Sequence, residues 1–353
     1  MILVAGLWPF CAPKNKVEWL NGENGLRFGH HGIVASVNPF VAAPGDGACS
    51  LEILLEPERA NASGTVLSFD SFPDPKFAFG LRQLGNRIAI QRGSRDAKGT
   101  LIRPWMTADR IFQQGKRNLL TITGSGKQTT IYLNGVRSRS SSEFGLVAAD
   151  LTGRLVVGNS TGNDSWAGRI NGLAVYDLEL TSSQVAAHFV SWTHQNLPEV
   201  AADPAPRALY LFDEGKGNVI HDRVDSRHDL MIARRYFVVH PTFLRPVWDE
   251  FRTRWDGGMT WSYWSDVLVN IAGFIPMGFL LMAFFSLARP VSRPRVLVVF
   301  LGLSVSLLIE IWQHFLPTRD SSTIDLITNT FGTALGVALC RPTLVSKFLH
   351  RRL

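Results

Sequence analysis

The chain has 353 residues, with 36 Lys and Arg against 29 Asp and Glu and a net charge of +7. That length accommodates one soluble domain of ordinary size plus a small second one. Many arginines flank apolar runs and no nucleic-acid motif is present, so the positive balance points to the anionic headgroups of a lipid bilayer and away from nucleic acid. Cys11, Cys49 and Cys340 form an odd set without metal-ligand spacing. A Cys11–Cys49 pair in an oxidising compartment stays open.

In chain order, Ile2, Leu3, Val4, Leu7 and Trp8 read as the final half of a membrane segment, so residues 1–12 are a partial signal anchor that delivers the next domain outside. From residue 17 the texture changes to short alternating strands broken by Gly, Asn and Ser, which predicts an all-β sandwich. Strands are expected at 50–55, 63–69, 76–82, 87–92, 118–123, 128–133, 154–157 and 169–176, with tight turns at 83–86 and at Asn134-Gly135. Trp166, Ile170, Leu173 and Val175 read as core, and Thr181 as the N-cap of a helix beginning near Ser182.

Two passages carry a resemblance: Asn118-Leu-Leu-Thr-Ile-Thr with Thr130-Ile-Tyr-Leu-Asn134-Gly135, and Trp166-x-Gly168-x-Ile170-x-x-Leu173-x-Val175-Tyr176 followed by Leu180-Thr181-x-x-Gln184-Val185. Together they resemble a laminin-G or concanavalin A-like jelly roll. The resemblance implies binding of carbohydrate, or less often protein, on the outer surface. Trp105, in the 103–106 loop, is the aromatic best placed to stack on a sugar, and packing against the sandwich is its alternative role. Asn171 stands where that family often has Asp. Asp150, Asn159, Asn163 and Asp164 are the calcium candidates near the closing loops, but no clear acidic set emerges, and no cofactor or metal is otherwise expected.

After a linker at 198–206, residues 208–222 read as a strand that returns to the sandwich, and the whole domain is expected over 17–233. Asp213, Glu214, His221 and Asp222 fit turn and cap roles better than a metal. Residues 234–262 alternate arginines with Phe and Trp and read as an interfacial segment.

The remainder, 263–345, is expected to form a small transmembrane bundle of three apolar helices: 267–288, 296–316, and 324 to about 345. A short pattern opens the first and the last: Asp266 with Asn270 and Gly273, then Asp325 with Asn329 and Gly332. On a helix these spacings put acid, amide and glycine on one face. Arg289, Arg293 and Arg295 after the first helix, and Lys347, Arg351 and Arg352 at the C-terminus, place those segments in the cytoplasm. Both Asp–Asn pairs then lie at the outer ends of parallel helices, with Glu310 on the opposed helix about 7 Å below its outer end, near the depth of Asn270 and Asn329, and Gln313 one turn further out. Helix capping would account for Asp266 and Asp325, but not for Glu310 inside an apolar run.

These residues, with Pro276, Gly278, Arg319 and Gly336, resemble the VanZ-like family of bacterial membrane proteins over roughly the last ninety residues. The resemblance implies an integral protein of the bacterial envelope; with the charge of the loops, the expectation is a multi-pass inner-membrane protein with the jelly roll extracytoplasmic and the C-terminus cytoplasmic. The family's founding member is associated with glycopeptide antibiotic resistance, and the resemblance supplies a site without a reaction. Glu310, Asp325 and Arg319 are the residues expected to act in any chemistry, with Asp266, Asn270, Gln313 and Asn329 as ligand contacts. The partners expected are an envelope glycan and a lipid-linked sugar phosphate; a non-catalytic receptor or scaffold is the alternative.

Overall fold

A computed structural model describes residues 10–41, 47–70, 79–95, 101–102, 104–160, 164–193, 204–238, 243–248, 261–289, 291–319 and 321–340. The expected anchor up to residue 9, the linker at 198–203, Asn163, and the 249–260 and 341–345 parts of the expected interfacial and bundle segments lie outside them. The chain divides into two compact units, one of Pro13–His240 and one that includes Pro241–Leu353.

The first unit is a sandwich of two antiparallel sheets. Its strands are β1 Val17–Trp19, β2 Leu26–Phe28, β3 Val34–Ser36, β4 Cys49–Pro57, β5 Ser63–Asp70, β6 Phe79–Leu84, β7 Arg87–Gln91, β8 Ser94–Arg95 and β9 Leu101–Ile102. There follow β10 Trp105–Ala108, β11 Asn118–Gly124, β12 Thr129–Leu133, β13 Val136–Ser141, β14 Arg154–Val157, β15 Gly168–Tyr176, β16 Ala208–Tyr210, β17 Val219–Ile220 and β18 Leu230–Ile232. One sheet runs β1-β2-β15-β4-β11-β12-β13 with β16 paired to β15, the other β10-β7-β6-β5-β14-β3-β18-β17.

Alternation builds the core. Leu51, Ile53 and Leu55 of β4 point inward against Val66, Phe69 and Leu81 of the facing sheet, and all six are fully buried. Leu133 pairs with Val136 around Asn134-Gly135, whose φ values of +51° and +79° are those of a two-residue hairpin turn that glycine and asparagine tolerate. The returning segment serves both sheets: β16 extends one, while β17 and β18 join the other beside β3. Tyr236 is also buried, against Ile33, Ala35 and Val156, so the sandwich unit runs past residue 233.

Trp166 is buried and donates to Gln83 Oε1 at 2.7 Å. Asn171 donates to the Asn24 carbonyl at 2.7 Å, a bond no carboxylate could make, which accounts for amide in place of acid there. Of the calcium candidates, Asp150 faces Arg92 at 3.2 Å and Asp164 faces Arg82 at 3.0 Å. Burial pushes the Asp150 carboxyl up from its ordinary range, with Arg92 opposing. Cys11, Cys49 and Cys340 are all free thiols.

Helix α1, Ser182–Thr193, starts with Thr181 and Gln184 in reciprocal capping: Gln184 N donates to Thr181 Oγ1 and Thr181 N to Gln184 Oε1. Its apolar side covers Leu54, Leu119, Tyr176 and Leu209 on the outer face of the first sheet. Beneath it lies Glu52, fully buried, whose carboxylate accepts from Thr121 Oγ1, Tyr176 OH and Trp192 Nε1 and meets His188 Nδ1 at 3.1 Å.

The second unit holds α2, Trp261–Ala283, prolonged by a π-helical turn at Phe284–Ala288; α3, Pro294–His314; and α4, Thr323–Leu339. Among the described residues two helices, Trp264–Ala288 and α3, are long and apolar enough to cross a membrane. Large apolar side chains on them, including Leu268, Val269, Leu280, Phe300 and Leu308, are exposed. At 17 residues α4 spans about 25 Å, shorter than expected and short of a ~30 Å hydrocarbon core. It ends at its C-cap Cys340, whose backbone is extended.

Replacing Glu52 by Ala would leave the Tyr176, Trp192 and Thr121 donors buried without their acceptor, and is expected to lower sandwich stability by about 3 kcal/mol, read by denaturant titration.

Candidate functional site

Ser306, Glu310 and Gln313 stand on one face of α3 at i, i+4 and i+7, and all three are buried. The start of α4 meets that face. Ser322 is its N-cap, with Oγ accepting from Ile324 N and Asp325 N, so Asp325 occupies the third helical position and is not the cap. The Ser322 amide donates to Glu310 Oε2 at 2.8 Å. Glu310, at 1% exposure, thus sits against the N-terminal end of α4.

Two further bonds belong to the cluster. Asn270 Nδ2 of α2 donates to Asp325 Oδ1 at 2.9 Å, and Asn329 Nδ2 donates to Ser306 Oγ at 3.0 Å. Asn329 is buried and its Oδ1 has no hydrogen-bond partner. Three polar links therefore tie α3 to α4 twice and α2 to α4 once.

The structure brings together Glu310, Gln313, Asp325, Asn270 and Asn329 on these facing elements. Asp266 is exposed, joins none of these bonds, and lies five residues inside α2, so it is not a cap either. Arg319 is exposed in the α3–α4 connector, and none of these hydrogen bonds involves it. Trp105 belongs to the other unit, where it begins strand β10 instead of lying in a loop; it is 65% exposed.

The two copies of the repeated pattern are not equivalent. A Cβ on Gly332 would meet the Ile271 carbonyl oxygen, and one on Gly336 the Ile275 carbonyl oxygen, so α4 lies directly on the α2 backbone. A Cβ on Gly273 would meet nothing within 4 Å. Only the second copy uses its glycine to bring helices together.

Sequence reasoning missed the segment just ahead of α2. Leu244 N donates to Ser321 Oγ at 3.2 Å, Arg245 N to Ser321 O at 2.9 Å, and Thr323 N to Arg245 O at 3.2 Å. Residues 244–245 thereby hold the 321–323 turn that presents Ser322 N to Glu310. The readable signal was Ser322 three residues ahead of Asp325, a helix-start spacing that marks this turn as structured.

Residues 222–346 match the family described as VanZ/LLP1, and residues 30–186 match the family described as concanavalin A-like lectin/glucanases superfamily. Similar solved structures include the Ruminococcus gnavus IT-sialidase CBM40 bound to alpha2,3 sialyllactose, 13% identical over 47% of this chain and 97% of that one, with a TM-score of 0.36. The ligand-binding domain of botulinum neurotoxin serotype D in complex with N-acetylneuraminic acid is 13% identical over 51% of this chain, with a TM-score of 0.36. This chain spans only 45% of that fragment. The heptameric SAP-like pentraxin of Limulus polyphemus is 16% identical over 50% of this chain and 78% of its own, with a TM-score of 0.31. No curated protein matches the chain.

Gly336→Leu is expected to force α4 off α2 and to lower the thermal midpoint of the detergent-solubilised protein by more than 5 °C, whereas Gly273→Ala leaves it within about 1 °C. Equal effects of the two changes would contradict the asymmetric packing.

Proposed function

From a chain that joins a concanavalin A-like domain to a VanZ-like domain, we propose a multi-pass protein of the bacterial inner membrane whose sandwich recognises an envelope glycan outside the cell and whose bundle engages a lipid-linked sugar phosphate. The observation that carries the bundle half is the gathering of two carboxylates and two amides, Glu310, Asp325, Asn270 and Asn329, at one end of otherwise apolar helices. Such groups are costly in a membrane and are kept there for a purpose. The positive charge of Arg289, Arg293 and Arg295 supports a cytoplasmic α2–α3 connector, with the polar end then in the outer leaflet, where the phosphate of a lipid carrier would lie. Arg319 is the nearest exposed cation in sequence and the candidate for that phosphate. Any proton transfer would fall to Glu310 or Asp325.

A second reading has its own support. The same polar groups bond to one another across helices, and Gly332 and Gly336 admit close backbone contact, which is what a non-catalytic receptor or scaffold would use.

Glu310→Gln, Asp325→Asn and Arg319→Lys nearly preserve shape, so they separate the two. Under the ligand reading each variant inserts normally but retains at least about tenfold less lipid-linked sugar phosphate on purification, measured by mass spectrometry. Unchanged retention in all three leaves the scaffold. For the sandwich, the full chain in detergent is expected to bind oligosaccharides on a glycan array, with calcium and with chelator compared directly; absence of binding in both conditions removes the glycan half.

A further inference from the structure

Strand pairing on the second sheet sets Trp105 opposite Gln91, and Gln91 opposite Gly80, in one row across β10, β7 and β6. Residues directly opposite share a face. Their chain neighbours Met106, Ile90 and Leu81 all point into the core, so the row faces outward. Trp105 is too exposed there to be tucked against the sandwich. Beside the half-buried Gln91, the Gly80 backbone is bare, since a Cβ at that position would meet nothing within 4 Å.

Charge and shape define what such a row would hold. Arg82, two residues along β6 on the same face, is compensated by Asp164 at 3.0 Å. Farther across the sheet the outward face is already filled, because Tyr236 covers Val156 and Ala35. What is left is an exposed indole, an amide able to donate and accept, and a stretch of uncovered backbone, with no uncompensated charge among the described residues of the row.

We propose that Trp105, Gln91 and Gly80 form a subsite for a neutral, unbranched oligosaccharide, an inference that rests on the glycan reading above. The row crosses two interstrand spacings, roughly 10 Å, the length of about two pyranose rings. The apolar face of one ring stacks on the Trp105 indole, the Gln91 amide satisfies hydroxyls of both kinds, and Gly80 lets the next ring lie against the strand. Among its described residues the row supplies no cation to the carboxylate of an anionic sugar.

The test compares cellohexaose and chitohexaose with oligogalacturonate, bound to the full chain in detergent micelles and measured by calorimetry. The expected result is binding of a neutral hexaose that weakens at least about tenfold in Trp105→Ala, Gly80→Val and Gln91→Ala alike. Gly80→Val is the informative change, because its side chain enters open space and suits a strand, so the thermal midpoint is expected to stay put while the subsite is blocked. Gln91→Ala keeps the test decisive should the valine disturb folding. Loss with Trp105→Ala but full binding by both other variants overturns the subsite and leaves the glycan reading standing. Exclusive binding of oligogalacturonate also overturns it. Failure of the wild type to bind any glycan, on the array or here, removes the glycan reading and this subsite with it.

Discussion

A carboxylate inside an apolar helix must find its donors within the protein, and Glu310 finds one in the first free amide of α4. Everything around the helical cluster follows from that bond. It needs the α3–α4 connector to turn tightly, Ser322 to cap α4, and residues 244–245 to hold the turn in place. Because one short turn supplies both the cap and the donor, the position of the acid and the start of the helix are coupled. A change to either would be felt by the other.

Packing of the bundle obeys a second constraint. Apolar side chains gain little by leaving lipid for one another, so contact between helices has to come from close approach and from polar links. Gly332 and Gly336 give the approach on α4, and Asn270 with Asp325 gives the link to α2. Ser306 with Asn329 does the same toward α3. The same side chains that make the cluster a plausible ligand site are thus also its fastening, and this is why both readings of the bundle draw on one set of residues.

In the sandwich a comparable role falls to Glu52, buried beneath α1 with donors from two neighbouring strands, β11 and β15, and from the helix itself. It locks one outer face of the fold shut, and Tyr236 closes part of the other. Among the described residues, neither of these devices covers the region around Trp105 on the second sheet.

Much of this was readable along the chain. Two-residue alternation located about half of the strands, chiefly the long central ones, because a half-buried sheet needs it; the Asn134-Gly135 hairpin and the Thr181 cap were legible because their backbone geometry demands those residue types. The apolar runs, and the acids and amides within them, likewise marked a helical unit and its polar cluster, since such residues are costly in hydrocarbon wherever they point. Three things were decided only in space. The burial of Glu52 depends on α1, which begins more than a hundred residues later and is laid over it. The twin Asp–Asn–Gly patterns looked interchangeable until packing used one glycine and left the other bare, because two helices in contact each spend a single face. Trp105 and Gly80 lie far apart in sequence, and only hydrogen-bonded register across β7 makes them neighbours. Local periodicity specifies what each segment can bury; which segments meet depends on long-range pairing, and no local pattern encodes it.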